Sequence, residues 1–129
     1  MLQGRPSNPR RVLVAQSYFL RFDPKLRRAG QPVPPLGSLI CAAVLRERGF
    51  DVRFFDAMIA AMDLEAPDTL VIFEDSFNYL TKMCLQRMRE AAALLIAMAR
   101  DRGIPVVVAG SDATDDPGFF LRAGAAAVA

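Results

Sequence analysis

The stretch that decides the fold runs from residue 68 to residue 110 and reads DTLVIFEDSFNYLTKMCLQRMREAAALLIAMARDRGIPVVVAG. Its apolar run at Leu70–Phe73 is typical of a buried strand of a parallel sheet. Lys82–Arg102 has apolar residues three and four apart, which predicts a helix. Gly103 stands where a helix-ending glycine belongs, and Ile104–Gly110 predicts the next strand. The predicted apolar stripe of the helix comprises Cys84, Leu85, Met88, Ala91, Ala92, Leu95, Met98 and Ala99.

The same alternation of strand and helix extends toward both ends of the chain. Further strands are predicted at Arg11–Ser17, Asp51–Ala57 and Gly124–Ala129, and helices at Gly37–Arg48, Met58–Ala66 and Gly118–Ala123, with a polar loop at Ser111–Pro117. The predicted apolar face of the first helix consists of Leu36, Ile40, Ala43 and Val44. Alternating strands and helices form βαβ units. We therefore predict a doubly wound, Rossmann-like (flavodoxin-like) α/β fold, with about five parallel strands and helices on both faces.

Composition narrows the possible chemistry. The chain has 129 residues, 16 basic against 14 acidic side chains, no histidine and two cysteines. That length suits one domain, which we place at residues 11–129 after a flexible N-terminal arm at residues 1–10. The absence of histidine excludes Ser-His-Asp and Cys-His catalysis and histidine-ligated zinc, and two cysteines are too few for a cysteine-rich metal site. We expect no nucleic-acid or membrane partner and a cytoplasmic setting.

Candidate functional residues follow the third and fourth strands. Glu74, Asp75, Ser76 and Asn78 could accept hydrogen bonds from a ligand or simply cap a turn. After the fourth strand, Gly110 allows a close backbone approach, and the Ser111 and Thr114 hydroxyls suit a neutral polar ligand as well as ordinary turn roles. The turn after the first strand has no phosphate-binding glycine motif, which argues against a dinucleotide or nucleoside triphosphate site.

A set of ordered segments resembles the N-terminal cobalamin-binding domain of cobalamin-dependent radical SAM enzymes. The segments are Pro34–Gly37 (PPLG), Leu39–Gly49 (LICAAVLRERG), Phe50–Val52, Asp56–Ala57, Pro67–Asp68, Asn78, Val108–Gly110, Ala113–Thr114, Pro117 and Leu121–Ala125. With the predicted first and last strands that flank them, the resemblance covers about Arg11 to Ala129. Ser111-Asp112 stands where that family often has Pro-His. The CxxxCxxC iron–sulfur motif of a radical SAM domain is absent, so this chain holds no complete catalytic site.

The resemblance implies a cobalamin cofactor held at the carboxyl ends of the strands. Without histidine, binding would be base-off and His-off. By motif position, Ser17, Pro35, Leu36 and Gly37 would lie under or beside the corrin, Ser76 and Asn78 at its nucleotide tail, and Gly110, Ala113 and Thr114 along the tail slot. No residue is expected to ligate a metal directly or to act as a catalytic group. S-adenosylmethionine and a 4Fe-4S cluster would belong only to a partner radical SAM domain, in cis or in trans, performing methyl transfer or related chemistry.

Two alternatives stay open at this level. One is a receiver-like signalling or interaction domain, although the acidic cluster that receivers carry after the first strand is here Gln16-Ser17. The other is a degenerate scaffold that binds no cofactor. The chain would be either a stand-alone module or a fragment of a longer radical SAM protein. An open sheet edge would also allow an oligomer.

Overall fold

The computed structural model describes residues 9–17, 28, 35–55, 67–74 and 85–129. Its elements in chain order are β1 (Arg11–Ala15), α1 (Leu36–Glu47), β2 (Asp51–Phe55), β3 (Thr69–Phe73), α2 (Leu85–Asp101), β4 (Val106–Ala109), α3 (Ser111–Asp115), α4 (Pro117–Ala123) and β5 (Ala127–Val128). The predicted strands are all present, and β1, β4 and β5 are shorter than predicted. The helix predicted at Met58–Ala66 and the stripe residue Cys84 lie outside the described residues.

The five strands form one parallel sheet in the order β2-β1-β3-β4-β5. The chain passes from β1 to one side to form β2, and then crosses back to the other side to form β3. The topological switch point therefore lies between β1 and β3, which is where ligands bind in open sheets of this kind. The predicted doubly wound α/β fold is confirmed.

Apolar side chains cover both faces of the sheet. The larger core packs α2 and α4 against one face, where Ile72, Val108, Ile96 and Phe120 are all fully buried. The smaller core packs α1 against the opposite face through Val12, Val14, Val52 and Ala42. Successive residues of β1 point to opposite faces, and residues 12–15 are buried on both. The sheet is thus covered by helices on its two sides, as the near-continuous apolar strands predicted.

The predicted apolar face of α1 was wrong. Leu36, Ile40 and Val44 are 67%, 55% and 46% exposed, and Ala43 is exposed too. The helix instead turns Ser38 and Ala42 toward the sheet. It is apolar over most of its circumference, so hydrophobicity alone does not choose the buried side. Small side chains allow the helix to approach the strands closely; Cys41 and Leu45 pack partly against this core, and the remaining large apolar side chains are exposed.

The polar loop predicted at Ser111–Pro117 was also wrong, because its first five residues form α3. The Asp116 side chain then caps α4 by accepting a hydrogen bond from the Phe119 N–H at 3.2 Å. Pro117 occupies the first turn of α4, where no backbone N–H is required. In α2, the predicted stripe is buried at Met88, Ala91, Ala92, Leu95 and Ala99, whereas Met98 is 41% exposed. Across the described part of the chain, none of the helices has the length and apolar character needed to cross a membrane.

Candidate functional site

Two buried polar side chains meet at the switch point. Ser17 follows β1 and Glu74 follows β3, and both are fully buried. The Ser17 hydroxyl donates a hydrogen bond to Oε2 of Glu74 at 2.7 Å. The Glu74 N–H donates to the Ala109 carbonyl at 2.7 Å, which ties this residue to the end of β4 as well. The ends of three neighbouring strands therefore meet at Glu74.

The second oxygen of that carboxyl group has no hydrogen-bond partner among the described residues. Glu74 Oε1 is buried and makes no hydrogen bond with any residue that the structure describes. Leaving a buried polar atom unsatisfied costs roughly 1–3 kcal/mol, so native proteins contain few of them. An unpaired oxygen at the switch point of a doubly wound sheet is thus a strong indication of a binding position.

Burial also decides the charge of this carboxyl group. Removal from water, together with the nearby Asp112 carboxylate, raises the pKa of Glu74 from 4.5 to about 8. The hydrogen bonds from the Ser17 hydroxyl and the Ser17 backbone N–H, together with the Arg89 guanidinium, lower the pKa, and burial outweighs them. Glu74 is consequently a neutral carboxylic acid near pH 7, able to donate as well as to accept a hydrogen bond.

Gly110 brings the end of β4 against Glu74. Its φ of +111° is in the region that favours glycine, and a Cβ at this position would overlap the Glu74 carbonyl oxygen. The same carbonyl accepts a hydrogen bond from the Asp112 N–H at 3.3 Å. Glycine is therefore required here for the chain to pack on itself, and the space on its Cβ side is filled by protein.

A charged junction lies beside the site. Arg89 of α2 donates to both carboxylate oxygens of buried Asp112, with Nε–Oδ2 and Nη2–Oδ1 distances of 3.0 and 2.6 Å. Arg89 Nη1 also lies 3.5 Å from Oδ2 of Asp116, and the guanidinium carbon is 5.7 Å from the centre of the Phe119 ring. The bond to Asp112 raises the pKa of Arg89 above its ordinary value. This junction holds α3 and α4 against α2 and so fixes the loop that contains Gly110.

The first turn of α1 borders the same edge of the sheet. Pro35 precedes the helix, and a Cβ on Gly37 would stand 2.6 Å from Cε1 of Phe73, the last residue of β3. Leu36, two-thirds exposed, is the first residue of this helix. The structure thus brings Gly37 and Ser17 to the strand ends, as their positions in sequence predict.

The residues predicted for the tail slot have other partners. Ala113 is fully buried in the larger core, and the exposed Thr114 donates from Oγ1 to the Gly110 carbonyl at 3.0 Å. Ser76 and Asn78 lie outside the described residues. A role for Gly110, Ala113 and Thr114 in holding a ligand stays a prediction.

Neither the Ser17–Glu74 pair nor the Arg89–Asp112 junction is predicted from the sequence. Glu74 was considered only as one of four polar residues after β3, and Ser17 only through a motif position. The topology could have indicated the pair, since Ser17 and Glu74 follow β1 and β3, the two strands that flank the switch point. The Arg89–Asp112 bond joins residues 23 positions apart on different helices, and no local pattern marks it.

A second concavity lies at the opposite, amino-terminal edge of the sheet. It encloses about 670 Å³ and is lined by Pro9, Arg10, Arg11, Asp68, Thr69 and Pro105. The Asp68 carboxylate accepts a hydrogen bond from the Arg11 N–H at 2.8 Å and pairs with its guanidinium at 3.6 Å. Because the Arg11 and Asp68 side chains of this groove are paired with each other, the carboxyl edge remains the better candidate.

Comparison with known proteins adds no relative to this description. No protein-family model matches the chain, and no curated protein is similar enough to count as a match. Within the described ranges, no group of three or more aspartate, glutamate, cysteine or histidine side chains could hold a metal ion.

Proposed function

We propose that this chain is a cobalamin-binding module. It would hold the corrinoid base-off and His-off over the carboxyl ends of β1 and β3, and present it to a radical SAM domain in cis or in trans. The observation that carries the proposal is the unpaired Oε1 of Glu74, a buried neutral group placed where doubly wound sheets bind their ligands. The sequence resemblance supplies the class of ligand.

The described residues fit a corrinoid in their chemistry. A corrinoid is a largely apolar macrocycle surrounded by neutral carboxamides. The edge offers it the neutral acid of Glu74, oriented by Ser17, and an exposed apolar side chain from Leu36. Ligand pockets typically combine apolar surface with a few placed polar groups of this kind. No histidine exists in the chain to ligate cobalt, which accords with a His-off arrangement.

The chemistry would belong to the cofactor. A bound corrinoid supplies a cobalt centre that carries a transferable methyl group, while the protein contributes binding and orientation. Ser17 fixes the orientation of the Glu74 carboxyl group through its 2.7 Å hydrogen bond, and burial of both residues keeps water from competing for the acid. The Arg89–Asp112 junction holds the neighbouring helix start in place.

The receiver-like alternative receives less support. Receivers collect carboxylates at this edge to bind a divalent cation, which requires negative charge. Gln16 and Ser17 after β1 are neutral, and Glu74 is protonated near pH 7. This part of the edge therefore carries little charge to attract a cation.

The test is retention of hydroxocobalamin. Purified protein, checked for folding by circular dichroism, is mixed with hydroxocobalamin, desalted, and examined by absorption spectroscopy. We expect a stoichiometric corrinoid with a base-off spectrum in wild type and clear loss in Glu74→Ala. Glu47→Ala, an exposed change at the far end of α1, is the matched control and should retain the cofactor. A colourless wild-type fraction would overturn the proposal and favour a scaffold that binds no cofactor.

A further inference from the structure

We propose that Glu74 acts as a hydrogen-bond donor to the ligand, from Oε1 to an uncharged acceptor such as a carboxamide oxygen. This inference rests on the proposed function for the identity of the ligand. It assigns a positioning and specificity role to a residue that the family resemblance does not mark.

The direction of the hydrogen bond follows from the two oxygens. The Ser17 hydroxyl donates to Oε2 at 2.7 Å, and the Ser17 backbone N–H also donates to the carboxyl group; with Ser17 as the donor, Oε2 is the carbonyl oxygen of the acid. The proton is left to Oε1, which has no partner among the described residues. A buried O–H group without an acceptor is costly, and the same group is satisfied at once by an incoming carbonyl. The O–H group at Oε1 therefore requires a hydrogen-bond acceptor.

The neighbouring charges favour the protonated form. Asp112 is fully buried near Glu74, and an ionised Glu74 would place a second negative charge beside it. Arg89 is the cation close enough to act on Glu74, but its guanidinium already binds Asp112 and Asp116. Ser17, which faces the carboxyl group from β1, is neutral. Ionisation at this position thus lacks a free counter-charge within the described residues.

The acceptor is expected to be uncharged. A ligand carboxylate at Oε1 would enter the same buried region as Asp112 and meet its negative charge, which is unfavourable in a poorly solvated site. A carboxamide oxygen accepts the hydrogen bond without that repulsion. The site therefore selects ligands by neutral oxygen acceptors, and it should reject analogues in which the contacting amide is hydrolysed to an acid.

The first experiment is a titration of cofactor affinity against pH. Cyanocobalamin is the probe, because its upper ligand is not a titrating water. Loss of the Glu74 proton should weaken wild-type binding about tenfold for each pH unit above about 8. Glu74→Gln keeps a donor and an acceptor in the same positions, so its affinity should not change with pH. Glu47→Gln should follow the wild type. A wild-type affinity that does not change with pH, or a Glu74→Gln variant that changes in parallel, would overturn the inference.

The second experiment needs no ligand. The carboxyl carbon of Glu74 is followed by carbon-13 NMR over the same pH range in the free protein, and assigned by its absence in Glu74→Gln. We expect it to titrate well above an ordinary glutamate. An ordinary titration overturns the donor role even where cobalamin binds. If the raised titration is found but cyanocobalamin does not bind at any pH, the proposed function fails separately and the inference about this cofactor fails with it.

Discussion

Replacing Glu74 by glutamine should remove a pH dependence from the stability of the fold. The pKa of this carboxyl group is about 8 in the folded chain against 4.5 when it is solvated. Between these values the folded state holds a proton that the unfolded state has lost, so stability falls as pH rises. The contribution of this proton to the free energy of unfolding is complete below pH 4.5 and lost by about pH 8. A difference of about 3.5 pH units, at about 1.4 kcal/mol for each unit, is about 5 kcal/mol.

Urea unfolding, followed by circular dichroism at a series of pH values, measures this contribution. Subtracting the unfolding free energy of Glu74→Gln from that of the wild type cancels every other titrating group. Between pH 4.5 and pH 8, the unfolding free energy of the wild type should fall by up to about 5 kcal/mol relative to that of Glu74→Gln. Glu47→Gln, at an exposed position, should show a difference that stays constant. If the Glu74→Gln difference is equally constant, the argument that burial keeps this acid neutral is refuted.

Three further substitutions test the surroundings of the site by urea unfolding. Gly110→Ala should lower the free energy of unfolding by about 3 kcal/mol, because the new Cβ would overlap the Glu74 carbonyl. Gly103→Ala has open space around its Cβ and should lower it by only about 1 kcal/mol, from backbone strain. Arg89→Met should cost about 3–5 kcal/mol, because it leaves the carboxylate of Asp112 buried without its partner. Phe120→Ala should cost about 3–5 kcal/mol, since the ring is fully buried in the larger core.

Each of these has an outcome that contradicts it. If the two glycine substitutions lower the free energy of unfolding equally, the overlap of a Cβ at position 110 with the Glu74 carbonyl does not destabilise the fold. Arg87→Met is the control for the charged junction, because Arg87 is exposed and pairs only with Glu90 among the described residues. A loss in Arg89→Met no larger than in that control would show that the Asp112 carboxylate is not held by Arg89.

The fold was predictable because its signals are local and repeated. Apolar runs such as Val106–Ala109 mark buried strands, and glycines such as Gly103 mark the ends of helices. The orientation of α1 was not predictable, since Leu36, Ile40 and Val44 have the spacing of a buried face. The choice between two apolar sides depends on how closely the helix approaches the sheet, and that distance is a property of the assembled structure.

The position of the candidate site was predictable from the sequence, but the hydrogen bonds and protonation state of its residues were not. Topology alone places the residues after β1 and β3 at one edge. The pKa of Glu74, however, depends on complete burial and on Asp112, neither of which its own segment reveals. The helix α3 was missed for a related reason, since Ser111, Asp112 and Thr114 are typical of turns. Their helical conformation is supported by the contact of Asp112 with Arg89 across 23 residues.

The distance along the chain between Ser17 and Glu74 has a consequence for how the protein folds. The two residues are 57 positions apart, so their hydrogen bond forms only after a long loop has closed. Central strands that pair over such separations assemble slowly, and during synthesis β1 must wait for β3 to emerge. The carboxyl edge is thus completed only when the central strand pair has formed. A ligand that binds only the completed edge would stabilise the folded state by mass action.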